Sequence, residues 1–133
     1  MIDHTADVGI QAIGQDLEEA FEETAEGMFS IITDLSKVEE RERYDIEIEE
    51  DDLESLLVQF LSELIYLHEV HSVVFKRFEV KIEEAEEKKK LTAKAVGEKI
   101  DFEKHDMDTA VKAVSYHELS IDPEGSIKII FDV

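Results

Sequence analysis

The sequence predicts an α+β fold, with two amphipathic helices packed on largely antiparallel sheets. Apolar residues recur at helical spacing in two early segments and at alternate positions in six others. The last four of those alternating segments pair off as two hairpins, which argues against a doubly wound parallel sheet. The order along the chain is β-α-β-α-β-β-β-β.

The first strand is read over residues 3–13, with Val8, Ile10 and Ala12 on one face and Gly14 marking its end. Asp16 followed by Glu19 is a capping-box pattern, and Leu17, Ala20, Phe21, Thr24, Ala25, Met28, Ile31 and Ile32 form the stripe of a helix over 16–34. Tyr44, Ile46 and Ile48 alternate with acids in a half-buried strand. Asp51 and Asp52 then open a helix over 52–69, whose Leu53, Leu56, Leu57, Phe60, Leu61, Leu64 and Ile65 make the strongest apolar stripe. Phe78, Val80 and Ile82 form a hairpin with Leu91, Ala93 and Ala95 across a charged turn. A second hairpin joins residues 111–121 and 126–133 around Asp122-Pro123-Glu124-Gly125. No repeat, linker or low-complexity tail interrupts the chain, so residues 1–133 are read as a single domain.

Composition narrows the function. Thirty-five acids against 14 bases give a formal charge of -21, a field that repels polyphosphates and disfavours unaided nucleic-acid binding. Such a surface suits divalent cations and basic protein partners. With no cysteine there is no thiolate metal site and no thiol nucleophile. No apolar run approaches the ~20 residues of a membrane span, and no secretory signal is visible, so a cytoplasmic location without membrane attachment is expected.

Few side chains stand out chemically. His68 and His71 lie three apart near a helix end, where a metal site competes with the simpler role of favouring the helix C-terminus. Lys88-Lys89-Lys90 opposes the acidic run from Glu83 to Glu87 and reads as a solvated turn. Asp7 lies among small apolar residues, where a carboxylate is costly unless paired or metal-bound; the alternative is that it caps a turn or faces water. At the other end, the Asp132 side chain would adjoin the α-carboxylate of Val133 if the chain ends there. Adjacent anionic oxygens suit a hard cation, whereas a frayed, solvated terminus is the competing reading.

Four segments together are specific: Asp3-His4-Thr5-Ala6-Asp7-Val8-Gly9-Ile10, Gly97-Glu98, Val111-Lys112-Ala113-Val114-Ser115-Tyr116-His117 and Asp132-Val133. In order and spacing they resemble the archease family over essentially the whole chain. Ser115 stands where that family more often has Thr, and Phe60 where it often has Trp. The resemblance implies a protein cofactor of the RtcB-type RNA-splicing ligase, which joins 2′,3′-cyclic phosphate or 3′-phosphate ends to 5′-hydroxyl ends in tRNA splicing. Archeases promote guanylylation of that ligase and so permit multiple turnover; they are not ligases themselves. Carried over by motif, the metal-binding positions are Asp7, Asp132 and Val133, with Ca²⁺ the expected ion and Mg²⁺ or Mn²⁺ as alternatives. The partner-activating lysine falls on Lys112, which without the resemblance would read as an ordinary strand lysine on a wet face. tRNA would be contacted only through the ligase.

Two other functions compete. One is a chaperone-like modulator of a tRNA-modifying enzyme such as a tRNA methyltransferase. The other is a free-standing metal-dependent hydrolase using Asp3, Asp7, Asp132 and a histidine, although no nucleophile–base pair is evident. If the two termini form one site, the first and last strands must be neighbours. Turn chemistry at Asp122-Pro123-Glu124-Gly125 predicts a bulge at Gly125-Ser126, and counting outward from it places Tyr116 opposite Asp132. Lys112 would then share the face of Asp132 but stand roughly 13 Å away along the strand.

Overall fold

The computed structural model describes residues 6–133. The elements are β1 (Asp7–Ile13), α1 (Leu17–Ile32), a 3-10 turn (Leu35–Lys37), β2 (Glu42–Glu50), α2 (Leu53–His71), β3 (Val73–Glu84), β4 (Lys89–Lys99), β5 (Ala113–Asp122) and β6 (Ser126–Asp132). This is the α+β order expected from the sequence, and no helix interrupts the strands after α2. The strands form two antiparallel three-stranded sheets, β1-β6-β5 and β2-β4-β3.

Both helices begin where side chains satisfy their orphan amides. The carboxylate of Asp16 accepts from Glu19 N–H at 2.8 Å, and that of Asp52 accepts from Ser55 N–H at 2.7 Å. α2 stops at Ser72, whose left-handed backbone (φ 52°, ψ 51°) turns the chain directly into β3. Each helix packs on strands of both sheets, so one core joins the layers. Phe21, Phe29, Phe60, Phe75 and Phe131 are its largest fully buried side chains. The outer face of the second sheet carries the polar half of the alternation. There Lys94 lies between Asp45 and Glu79, and Lys90 between Glu49 and Glu83. Such opposite-charge neighbours each contribute roughly 0.2–1 kcal/mol.

Two backbone features hold the second sheet and its connection to the first. β4 comes so close to β3 at Gly97 that a Cβ there would overlap the Val74 carbonyl oxygen and lie 2.7 Å from Phe75 Cα. The register slips beside it, between Phe75 and Arg77. After β4, residues 100–112 cross to the other sheet, tied to the end of α1 by Thr33 Oγ1 donating to Asp106 O (2.7 Å) and Asp108 N–H donating to Ile32 O (2.8 Å).

Candidate functional site

The first and last strands are direct neighbours, and their register places Asp7 opposite Asp132. The hydrogen bonds at the two ends of this pairing set its phase. Val133 N–H donates to Ala6 O and Gly14 N–H to Gly125 O. Residues 6, 8, 10, 12 and 14 therefore bond towards β6, while Asp7 belongs to a pair that exchanges no ladder bonds with Asp132. Such pairs bring Cα atoms to ~4.5 Å, the closest side-chain approach in an antiparallel ladder. Two carboxylates thus share the solvent-facing side of the sheet, where like charges in opposition destabilise the pairing. A cation between them would reverse that sign.

The donor set fits a hard divalent ion: carboxylate oxygens, no sulfur, and an open outer face. Among the described residues no three His, Cys, Asp or Glu side chains gather closely enough to hold a metal, so the Asp7–Asp132 pair is two side chains without a third. Val133, anchored to Ala6 beside the pair, is the remaining sequence-derived ligand position. Asp3 and His4 lie outside the described residues.

Lys112 stands elsewhere than the turn-based count predicts. The hairpin tip behaves as expected: Gly125 N–H donates to Asp122 O at 2.9 Å, Gly125 has φ 132°, and Asp122 pairs with Ser126. Beyond Ser120 the register breaks. β6 advances from Lys128 to Ile130 while β5 runs back from Ser120 to Ser115, so three residues of β5 are looped out. Glu118 takes a left-handed backbone (φ 58°) within this bulge, and Ser115 Oγ accepts from His117 N–H at 3.0 Å. The partner of Asp132 is consequently Ala113, not Tyr116. Lys112 N–H donates to the Asp132 carbonyl at 2.8 Å, so the lysine backbone adjoins Asp132 instead of standing four positions along the strand. Ala113 and not Lys112 takes the face of Asp132, against the shared face that the turn count predicts. The Lys112 side chain is exposed.

Sequence reasoning assigned no role to Glu98, a heavily bonded carboxylate at the end of β4 in the other sheet. Only 6% exposed, it accepts from Glu39 N–H (2.6 Å), from Lys104 Nζ (2.8 Å to Oε2) and from His105 Nε2 (3.1 Å). His105 is itself buried, and its Nδ1 accepts from Asp101 N–H at 3.0 Å. That bond assigns the ring proton to Nε2, which points at Glu98 and the Lys37 carbonyl. Burial alone would raise the carboxyl pKa of Glu98. The bonds from Lys104, the Glu39 amide and His105 outweigh it and lower the pKa to about 2. The cluster clamps the start of the 100–112 crossover whose far end delivers Lys112. The sequence offered only the Gly97-Glu98 pair itself: Glu98 falls at an outward position of β4, in phase with Lys90 and Lys94, and is buried by the crossover and not by the strand's core face.

The structure gives the two histidines and the lysine run local packing and pairing partners. His68 Nδ1 donates to Val73 O at 2.7 Å and its ring meets Phe29 edge-on, which ties the end of α2 to the next strand. His71 packs its ring against Tyr44, centroids 5.4 Å apart and the planes tilted by 32°. Lys88 pairs with Asp51 at 2.8 Å in the exposed β3–β4 turn.

The arrangement defines a class: a two-sheet α+β protein that presents paired carboxylates and a lysine at the junction of its terminal strands. A family model described as the Archease protein family (MTH1598/TM1083) matches residues 1–133. Curated relatives named "Protein archease" include those of Pyrococcus abyssi, 50% identical over 92% of this chain and 88% of its own length, and Pyrococcus furiosus, 49% identical over the same shares. The solution structure of Methanobacterium thermoautotrophicum protein 1598 is 42% identical, covers 99% of this chain and 96% of its own, and superposes with a TM-score of 0.81. The chain belongs to the archease family.

Proposed function

We propose that this archease is a metal-binding protein cofactor that activates an RtcB-type RNA-splicing ligase in the cytoplasm, promoting guanylylation of the ligase and multiple turnover in tRNA splicing. The observation that supports the reading is the pairing of Asp7 with Asp132, with the Lys112 backbone bonded to Asp132, at the paired terminal strands of a chain with net charge -21. Asp7, Asp132 and the Val133 carboxylate would hold one divalent ion, Ca²⁺ first and Mg²⁺ or Mn²⁺ next. Bound there, the ion would supply positive charge for neutralising nucleotide phosphate.

The chain's own residues account for the rest. The exposed Lys112 ammonium reaches out from the backbone step beside Asp132, where it can meet a phosphate of the ligase's nucleotide without ligating the ion. The 100–112 crossover, clamped at Glu98 and at the end of α1, holds that lysine in place. The wider acidic surface repels RNA, so tRNA is contacted through the ligase. This role requires no nucleophile of its own, and the protein acts as an accessory rather than as an enzyme.

The direct test is covalent guanylylation of a purified RtcB-type ligase at limiting GTP. Added wild-type protein should accelerate label incorporation, and stoichiometric protein that leaves the rate unchanged would dismiss the reading.

A further inference from the structure

α1 lies between the edge strands of the two sheets, packing on β3 at one side and β1 at the other, and it treats those edges differently. On the β3 side its glutamates close the edge: Glu22 accepts from Val80 N–H and Glu18 from Ile82 N–H, each at 2.8 Å. Edge amides satisfied in this way are unavailable to another chain. On the β1 side the same helix presents Glu23 and Glu26, whose carboxylates take no hydrogen bond from any described residue, as neither is bonded through its side chain to β1. Between them and the strand runs a groove of about 340 Å³ lined by Ile10, Ala12, Ile13, Glu23, Glu26 and Gly27.

The strand's backbone phase makes this edge addressable. Because residues 6, 8, 10, 12 and 14 bond towards β6, the N–H and C=O groups of Gly9, Gln11 and Ile13 point away from the sheet. β1 reads Asp-Val-Gly-Ile-Gln-Ala-Ile, with its one charge at the Asp7 end and no lysine, proline or bulge to protect the edge. Ile13, at its end, is 70% exposed. Gly27 keeps the groove floor low, since a Cβ there would come within 2.9 Å of Ile10 Cδ1. Desolvation, then repulsion from Glu26 and Glu19, raises the Glu23 pKa, so a basic group in the groove would relieve an existing strain on that charge.

We propose that β1 receives an extended, basic segment of a partner protein as an added strand, whose alternate side chains enter the groove and meet Glu23 and Glu26. Main-chain bonds to Gly9, Gln11 and Ile13 would give affinity, and the glutamates would give preference for Lys or Arg at every second position. A second copy of this chain is a poor occupant, because two bodies of charge -21 repel one another. The inference is independent of the metal and ligase reading, and its failure would leave the guanylylation test untouched.

The probe is a capped synthetic peptide of about ten alternating Lys and Val residues, near the length of a typical strand. Amide hydrogen exchange is followed by NMR in the free protein and with peptide. Gly9, Gln11 and Ile13 should exchange quickly when free and slow markedly with peptide. The same peptide N-methylated at alternate residues should give no protection, and an alternating Glu/Val peptide should not bind. Glu23→Lys combined with Glu26→Lys, both exposed positions, should weaken binding about ten-fold while thermal unfolding stays close to wild type. Slow exchange of the three amides in the free protein, equal binding of the acidic peptide, self-association through this edge, or protection confined to other strands would each overturn the proposal.

Discussion

Replacing Glu98 by Gln tests whether the buried clamp at the base of the crossover stabilises the protein. The amide keeps the shape but loses the charge, and it turns a donor towards the Lys104 ammonium or the His105 N–H. A carboxyl held at about 2 against an ordinary 4.5 sets a ceiling of ~3 kcal/mol for the charged form. Lys104 is one-third exposed and Arg41 two-thirds exposed, so solvent screening reduces the electrostatic part to ~1–2 kcal/mol. With the mismatched donor added, Glu98→Gln should cost ~2–3 kcal/mol at pH 7, lowering Tm by ~5–10 °C. The sign follows from the depressed pKa. The stabilisation is complete above the unfolded value of 4.5 and is lost as pH falls through that value towards about 2. Urea unfolding of both proteins across this range isolates the contribution from the many other carboxylates. A difference below ~0.5 kcal/mol at pH 7, or one that does not shrink between pH 4.5 and 2, would refute the clamp.

Three further outcomes follow from the geometry. Gly97→Ala should destabilise by ~3 kcal/mol or more in thermal unfolding, because the new methyl group meets main-chain atoms of Val74 and Phe75 that cannot rotate away. Asp7→Asn should weaken Ca²⁺ binding in calorimetry by ~10-fold or more, yet stabilise the metal-free protein by ~0.5 kcal/mol, since it removes a like-charge pair across the strands. Lys112→Ala should leave both Ca²⁺ affinity and folding stability within ~0.5 kcal/mol of wild type while abolishing ligase stimulation; undiminished stimulation would remove the lysine from the mechanism.

Periodicity made the elements legible because both helices and all six strands bury one face against the same core. The caps at Asp16 and Asp52 and the turn ending at Gly125 were readable because each depends on one or two local residues. The pairing of the terminal strands was legible only as a requirement of the motif, and the register Asp7–Asp132 meets it. What could not be read was the bulge in β5. Nothing in Tyr116-His117-Glu118-Leu119 marks three surplus residues, and Glu118 adopts a left-handed backbone that a glycine or asparagine would have advertised. An odd number of extra residues moves every later side chain to the other face, so one unseen bulge relocated Lys112 relative to Asp132. Glu98 and His105 were hidden for a different reason. Seven positions apart in a charge-rich stretch, they become a buried pair only once β4 and the crossover fold back on the 3-10 turn.

The central claim is that this archease activates a ligase, and counting ligation events tests it most directly. A purified RtcB-type ligase is given an excess of RNA bearing 2′,3′-cyclic phosphate and 5′-hydroxyl ends, with GTP and divalent metal, and joined product per ligase molecule is followed over time. Without this protein the product should level off near one equivalent. With it, product should continue to many equivalents, and protein carrying Lys112→Ala should restore the plateau. An identical plateau with and without the wild-type protein, at concentrations well above that of the ligase, would contradict the account.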